Sequence, residues 1–152
     1  MQDELATLDK GIMPKDITST NTPAKHVGDY RNKTSYNSTS VNMAETIRQS
    51  NKSGNPIVEI DLNKLPDNQV IVDLSRNDAE RRVKLASNEP ELTAKAVYFA
   101  GNSSEVLIKG NISSDAVRLL SPEEAKAIMS TPKQQETIAN DKKAKKNRKC
   151  PF

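Results

Sequence analysis

The sequence predicts an α+β fold: a small antiparallel β-rich central domain with a C-terminal capped helix. Short segments in the middle of the chain alternate apolar and polar residues, which is the pattern of strands that bury one face. Directly after them, Ser121, Pro122 and Glu124 form a helix start signal. The flanking segments contain few apolar residues, so we expect an extended N-terminal arm and a basic C-terminal tail.

Large apolar side chains are concentrated in one part of the chain. Leu, Ile, Val and Phe number 31 of 152 residues, with 7 in 1–55, 21 in 56–120 and 3 in 121–152. A share of about a fifth is at the lower limit for a chain that folds alone. The distribution predicts an extended or disordered arm at 1–55, a small β-rich domain plus helix at 56–130, and a loose helix or disordered basic tail at 131–152.

The arm is rich in Asn, Thr, Ser and Lys, and its prolines interrupt any periodic pattern. One short helix is predicted at 43–50, because Asn42 can cap it and Glu45 follows three residues later. The rest of the arm is expected to become ordered only against a partner.

Four segments of the middle block are predicted to be strands. "PIVEIDL" (56–62) and "QVIVDLS" (69–75) alternate apolar and polar residues and flank a turn signal at 65–69. "AKAVYFAG" (94–101) and "EVLIKGNI" (105–112) are interpreted as two more strands around a Gly-containing turn. These strands form the predicted antiparallel sheet.

The segment 75–88 fits two structures. Asn77 with Glu80 fits a helix capping box, whereas Arg81, Val83 and Leu85 alternate as in a strand. We favour a strand, because the neighbouring segments are predicted strands.

Two helix starts follow the predicted sheet. Ser121 can cap a helix at 121–130, with Pro122 at its first position and Glu124 completing the box. Thr131 and Pro132 repeat the signal more weakly, and the segment after them has few apolar residues to bury.

The basic residues of the chain are concentrated near its end. The net charge is +3, but residues 141–150 carry six cations and one acid, so the rest of the chain has a charge of 3 − 5 = −2. We predict that these six side chains contact an anionic surface of lipid or nucleic acid; they are Lys142, Lys143, Lys145, Lys146, Arg148 and Lys149. A nuclear localisation signal and a solvated tail without a binding role are the alternatives.

Residues for catalysis or metal binding show no recognisable spacing. The single histidine, His26, lies in the arm and is interpreted as a surface histidine without a role. Glu59, Asp61 and Asp73 are interpreted as the solvent-facing side of the sheet. The single cysteine, Cys150, cannot form a cysteine-based zinc site. We therefore predict no catalytic residue, no metal and no cofactor.

These observations favour a non-enzymatic structural or interaction protein that acts within a larger assembly, such as a phage or virus particle or a secretion machine. Its expected partner is another protein, or a second copy, bound through the sheet and the N-terminal arm. The alternative is a soluble effector or regulator whose polybasic tail binds anionic membrane or nucleic acid. No small-molecule substrate is evident.

No signal peptide or membrane-spanning run is seen, so we expect a location in the cytoplasm or within a particle.

Overall fold

Helices and strands are interspersed along the computed structural model, which describes residues 10–29 and 31–147. The α-helices of these residues are α1 (Pro23–Gly28), α2 (Met43–Ser53), α3 (Asp78–Lys84), α4 (Pro90–Asn102), α5 (Pro122–Met129) and α6 (Pro132–Asn147). The strands are β1 (Tyr36–Ser40), β2 (Ile57–Ile60), β3 (Ile71–Asp73), β4 (Glu105–Lys109) and β5 (Val117–Leu120). The predicted α+β class is confirmed.

The strands form two small antiparallel sheets. One has the order β1-β4-β3 and the other pairs β2 with β5. Strands β2, β3 and β4 lie within the segments 56–62, 69–75 and 105–112, so these three strand predictions are confirmed. Alternation of apolar and polar residues was the signal for β2 and β3, whereas β4 was predicted as a strand beside a Gly-containing turn.

Strand β4 is buried on both faces. Leu107 packs with α4 in the larger core cluster, together with Leu74, Leu85 and Ala100. The next residue, Ile108, faces the opposite way and packs in a second apolar cluster. A strand that is buried on both faces reads as a continuous apolar run, which explains the sequence "VLI" at 106–108.

The prediction of a strand at 94–101 is wrong, because these residues lie within α4. Pro90 is at the start of this helix, and Ala96, Val97 and Ala100 are buried at helical spacing. A short apolar run is ambiguous between a strand and a buried helix. Here the small alanines allow the helix to pack closely on the sheet.

The preference for a strand at 75–88 is also wrong, and the capping box was the better signal. The Asn77 side chain accepts a hydrogen bond from the Glu80 backbone N–H at 2.9 Å and caps α3. Arg81, buried in this helix, donates to the Leu74 carbonyl oxygen at 2.7 Å. The alternating residue Val83 is 78% exposed, so the alternation did not reflect a buried face.

The described part of the arm contributes packed elements to the domain. The short predicted helix is confirmed as α2, which Asn42 caps and which extends to Ser53. Strand β1 pairs with β4 although its sequence, "YNSTS", has no apolar alternation. Its polar side chains bond the backbone instead, and Thr39 donates to the Val106 carbonyl oxygen at 2.7 Å. Residues 1–9 of the predicted arm lie outside the described residues.

The capping box predicted at the start of α5 is confirmed. The Glu124 backbone N–H donates to the Ser121 hydroxyl at 3.1 Å, and the Ser121 backbone N–H donates to the Glu124 carboxylate at 3.2 Å. None of the described helices is long and apolar enough to cross a membrane.

Replacing Ser121 by Ala is expected to lower the free energy of unfolding by about 1 kcal/mol, because one helix N–H loses its acceptor. The midpoint of thermal unfolding should fall by about 3 °C. Ser121→Asp retains a capping oxygen and is the matched control. Equal loss in both variants would contradict the capping role.

Candidate functional site

An open groove of about 1120 Å³ runs between the two sheets and the helices α2, α5 and α6. Its apolar lining includes half-buried or buried residues of β2, β4 and β5, such as Ile57, Val106 and Leu120. Hydroxyl and amide side chains from β1, α2 and α6 also line it, together with charged side chains such as Glu45, Arg76 and Asp141. A groove of this size with mixed lining has room for a small molecule or a peptide segment.

Three polar side chains from three different elements meet beside this groove. The Nε2 atom of His26 lies 2.6 Å from the Ser38 hydroxyl oxygen, and that hydroxyl donates to Glu105 Oε1 at 2.8 Å. Ser38 and Glu105 are both part of the groove lining. Ser38 is exposed, whereas Glu105 is only 8% exposed.

The strand register brings Ser38 and Glu105 together. Ser38 pairs with Leu107, and Ser40 pairs with Glu105, so Ser38 and Glu105 are diagonal neighbours on adjacent strands. Diagonal neighbours on one face are close enough for side-chain contact. The two residues are 67 positions apart in the chain, and only the pairing of β1 with β4 joins them.

His26 is fixed by the close packing of α1 on α4. A Cβ atom at Gly28 would lie 3.0 Å from the Leu92 carbonyl oxygen and 2.8 Å from its Cδ1 atom, so glycine permits this approach. Ala24, in the first turn of α1, is 1% exposed and belongs to the core. The second ring nitrogen of His26, Nδ1, lies 2.5 Å from the hydroxyl oxygen of the buried Thr34.

The hydrogen bonds have one consistent direction when Glu105 is ionised. The Thr34 hydroxyl donates to Nδ1 of His26, Nε2–H donates to Ser38, and Ser38 donates to Glu105. Glu105 is therefore the final acceptor of the series. Among the described residues, the hydrogen bond from Ser38 engages Oε1, and we find no hydrogen-bond partner for the second oxygen, Oε2.

Burial changes the proton affinity of both titratable groups. It raises the pKa of Glu105, and the hydrogen bond from Ser38 opposes this effect in part. Burial, with a smaller contribution from the charge of Lys15, lowers the pKa of His26. The lowered pKa favours a neutral imidazole at neutral pH, and the hydrogen-bond directions given above are those of this neutral form. Burial thus favours the neutral form of both groups and moves their pKa values toward each other.

His26 is not the free surface histidine that the sequence suggested. It is half-buried, and both of its ring nitrogens have partners. Sequence reasoning missed Ser38 and Glu105 altogether, since 12 and 67 residues separate the partners and no local motif connects them. Glu105 offered one signal: an acid directly before the continuous apolar run "VLI" at 106–108.

The carboxylates considered from sequence have local structural contacts. Glu59 forms an ion pair with Arg118 of the neighbouring strand at 3.2 Å. Asp61 caps the short 3₁₀ helix Leu62–Lys64, and Asp73 accepts from the Ser75 backbone N–H at 2.9 Å. In the described part of the chain, no group of three His, Cys, Asp or Glu residues is placed to hold a metal ion.

The predicted anionic-surface contact lies at the end of α6. Lys142 is exposed on this helix, which also includes the backbone of Lys143, Lys145 and Lys146. The side chains of these last three residues, together with Arg148 and Lys149, lie outside the described residues. The contact stays a prediction.

Comparison with known proteins finds no matching protein family, no similar characterised protein and no similar solved structure. The function is therefore inferred from the geometry of the site.

Proposed function

We propose that this chain is an enzyme that uses Glu105 as its catalytic carboxylate on a ligand bound in the groove. The observation that supports this proposal is the series of hydrogen bonds from His26 through Ser38 to a buried carboxylate in the groove wall. Buried ionisable groups with oriented partners beside a cavity are typical of catalytic sites.

Glu105 is a better candidate for the reacting group than Ser38. The Ser38 proton is donated to Glu105, and the Ser38 oxygen accepts from His26, so this hydroxyl is occupied on both sides. Ser38 and His26 are instead suited to hold Oε1 and to direct Oε2 toward the ligand. They are positioning residues in this proposal.

The chemistry that suits this carboxylate is general-base catalysis of group transfer or hydrolysis. Glu105 accepts the proton of an attacking hydroxyl, amine or water while that nucleophile bonds to the transferred group of the ligand. The bond between this group and the leaving group then breaks, and Glu105 returns the proton to the departing leaving group. A carboxylate whose pKa is raised toward neutral is effective in this role near neutral pH. The same negative charge stabilises positive charge that develops on the ligand.

The proposal is tested by turnover of a panel of common metabolites, nucleotides and chromogenic esters and glycosides, followed by mass spectrometry. The wild-type chain is compared with Glu105→Gln, and Glu136→Gln, an exposed residue of α6, is the matched control. We expect wild type and control to convert at least one compound, and Glu105→Gln to convert it far more slowly. Conversion at equal rates by all three, or by none, counts against the proposal.

An interaction protein within a larger assembly remains the second candidate. Strand β3 is an edge strand of its sheet; its first residue, Ile71, is 38% exposed, and the preceding residue, Val70, is 48% exposed. An apolar edge strand is able to pair with a strand of another chain. Light scattering of the purified chain before and after Ile71→Lys tests this: a stable oligomer that the substitution dissociates supports it, and a wild-type monomer contradicts self-association.

A further inference from the structure

Helix α6 is attached by polar side chains to the corner between β1 and α2. Gln134 accepts a hydrogen bond from the Met43 backbone N–H at 2.9 Å and donates to the Val41 carbonyl oxygen at 2.8 Å. About two helical turns further along α6, Asp141 accepts a hydrogen bond from the Asn42 side-chain amide at 2.7 Å. Both residues thus fix the same corner.

Asp141 also contacts Ser104, a residue that Gln134 does not contact. The Ser104 hydroxyl lies 2.7 Å from Oδ1 and 2.6 Å from Oδ2 of Asp141 and donates its proton to this carboxylate. Ser104 is 1% exposed, and its carbonyl oxygen accepts from the Val41 backbone N–H at 3.2 Å. The Ser104–Asp141 contact is therefore a charge-assisted hydrogen bond between a buried hydroxyl and a half-buried carboxylate.

Ser104 has an unusual backbone conformation directly before Glu105. Its φ is 46°, in the left-handed region, and it is the only non-glycine residue of the described chain with a positive φ. For an L-residue with a side chain this region costs about 1 kcal/mol or more. Such a conformation persists when surrounding contacts enforce it. The turn from α4 into β4, and thus the direction in which Glu105 leaves it, depends on this residue.

We propose that Asp141 is a positioning residue that holds Ser104 in its left-handed conformation and so keeps Glu105 in contact with Ser38. This inference rests on the proposed function, because it matters for catalysis only if Glu105 is the reacting group. When the Asp141 contact is removed, Ser104 relaxes toward the right-handed region, and the Glu105 side chain turns away from Ser38 toward water. Helix α6 thereby takes part in the site although it supplies no group to the series of hydrogen bonds.

The experiment follows the Glu105 carboxyl carbon and the His26 ring nitrogens by NMR as a function of pH in the full chain. In Asp141→Ala we expect the Glu105 midpoint to fall toward that of an exposed glutamate, because its burial is reduced. The His26 Nε2–H signal should weaken as its contact with Ser38 is lost. Asp141→Asn keeps the side-chain shape and one acceptor oxygen, and it replaces Asp141→Ala if that variant does not fold. It should lower the Glu105 midpoint by a smaller amount.

Two further variants separate positioning from simple attachment of α6. Gln134→Ala weakens the attachment at Met43 and Val41 but removes no direct contact of Ser104, which keeps its bonds to Asp141 and to the Val41 N–H. The titration midpoint of Glu105 in this variant should therefore stay close to that of wild type. Adding Ser104→Gly to Asp141→Ala should restore the wild-type midpoint, since glycine adopts a positive φ without strain. An unchanged midpoint in both Asp141 variants, or an equal shift in Gln134→Ala, overturns the proposal.

The NMR test of the positioning role can fail or succeed independently of the turnover test of the proposed function. The NMR midpoints report the position of Glu105 whether or not a substrate is turned over. If Asp141→Ala shifts the midpoint while Glu105→Gln leaves turnover unchanged, positioning stands and the catalytic role fails. If the positioning role of Asp141 and the catalytic role of Glu105 are both correct, the kcat of Asp141→Ala should fall by up to about 10²-fold with little change in KM.

Discussion

Replacing Glu105 by Gln is expected to reduce kcat by about 10²–10⁴-fold, which is the usual contribution of a positioned general base. Gln retains an oxygen that accepts the hydrogen bond from Ser38, so the side chain keeps its place. It cannot accept a proton from the nucleophile. The expected KM change is small, because the groove lining is otherwise unaltered.

The same substitution should also stabilise the protein relative to wild type, by an amount that increases as the pH rises. Burial raises the folded-state pKa of Glu105 above its ordinary value of 4.5, so the folded protein favours the neutral acid. The stability that this group contributes is fully present below its unfolded pKa and is lost as the pH rises through the folded pKa. Gln has no such loss. The free energy of unfolding of Glu105→Gln, relative to wild type, should therefore increase with pH above about 4.5.

The measurement is urea unfolding of both proteins between pH 4 and 8. The difference between them is the informative quantity, since His26 has the opposite dependence. Burial lowers its folded-state pKa, so its contribution is present above the unfolded pKa and is lost as the pH falls through the folded pKa. This loss affects both proteins alike and cancels in the difference. A difference that does not change with pH would contradict the buried, ionising carboxylate on which the catalytic proposal depends.

Elements with a local signal were the ones that the sequence predicted. Strands β2 and β3 followed from alternation, and β4 followed from its position beside a Gly-containing turn. Helices α2 and α5 followed from capping residues that contact their own first turn. Strand β1 had no signal, because its stability comes from pairing with β4 and from side-chain bonds to a strand far along the chain. The segment 94–101 was assigned to the wrong element because small apolar residues suit a buried helix as well as a strand.

The candidate site depends on the elements that were hardest to predict. His26 comes from α1, in a segment predicted to be an extended arm, and Ser38 comes from β1. Only Glu105 belongs to a strand with a clear pattern. A site assembled from three elements by strand register and helix packing has no sequence spacing of its own, so single-sequence reasoning could not find it.

Replacing Leu107 by Ala is expected to lower the free energy of unfolding by about 3–5 kcal/mol, the range for a fully buried leucine. Leu107 is 0% exposed in the central strand of the β1-β4-β3 sheet and packs in the larger core cluster. A domain of this size has a total stability of about 5–15 kcal/mol, so a large part would be lost. Urea unfolding measures the loss. Leu62→Ala is the matched control, because Leu62 is 45% exposed and should cost about 1 kcal/mol or less.

The cavity left at Leu107 should also reach the site. Leu107 pairs with Ser38 and lies two residues from Glu105, so relaxation of the strands into the cavity alters the Ser38–Glu105 contact. We expect Leu107→Ala to weaken the His26 Nε2–H signal even where the chain is still folded, and Leu62→Ala to leave it unchanged. Equal costs for the two leucines would mean that β4 is not the centre of the core. An unchanged His26 signal in folded Leu107→Ala would mean that site geometry is independent of core packing.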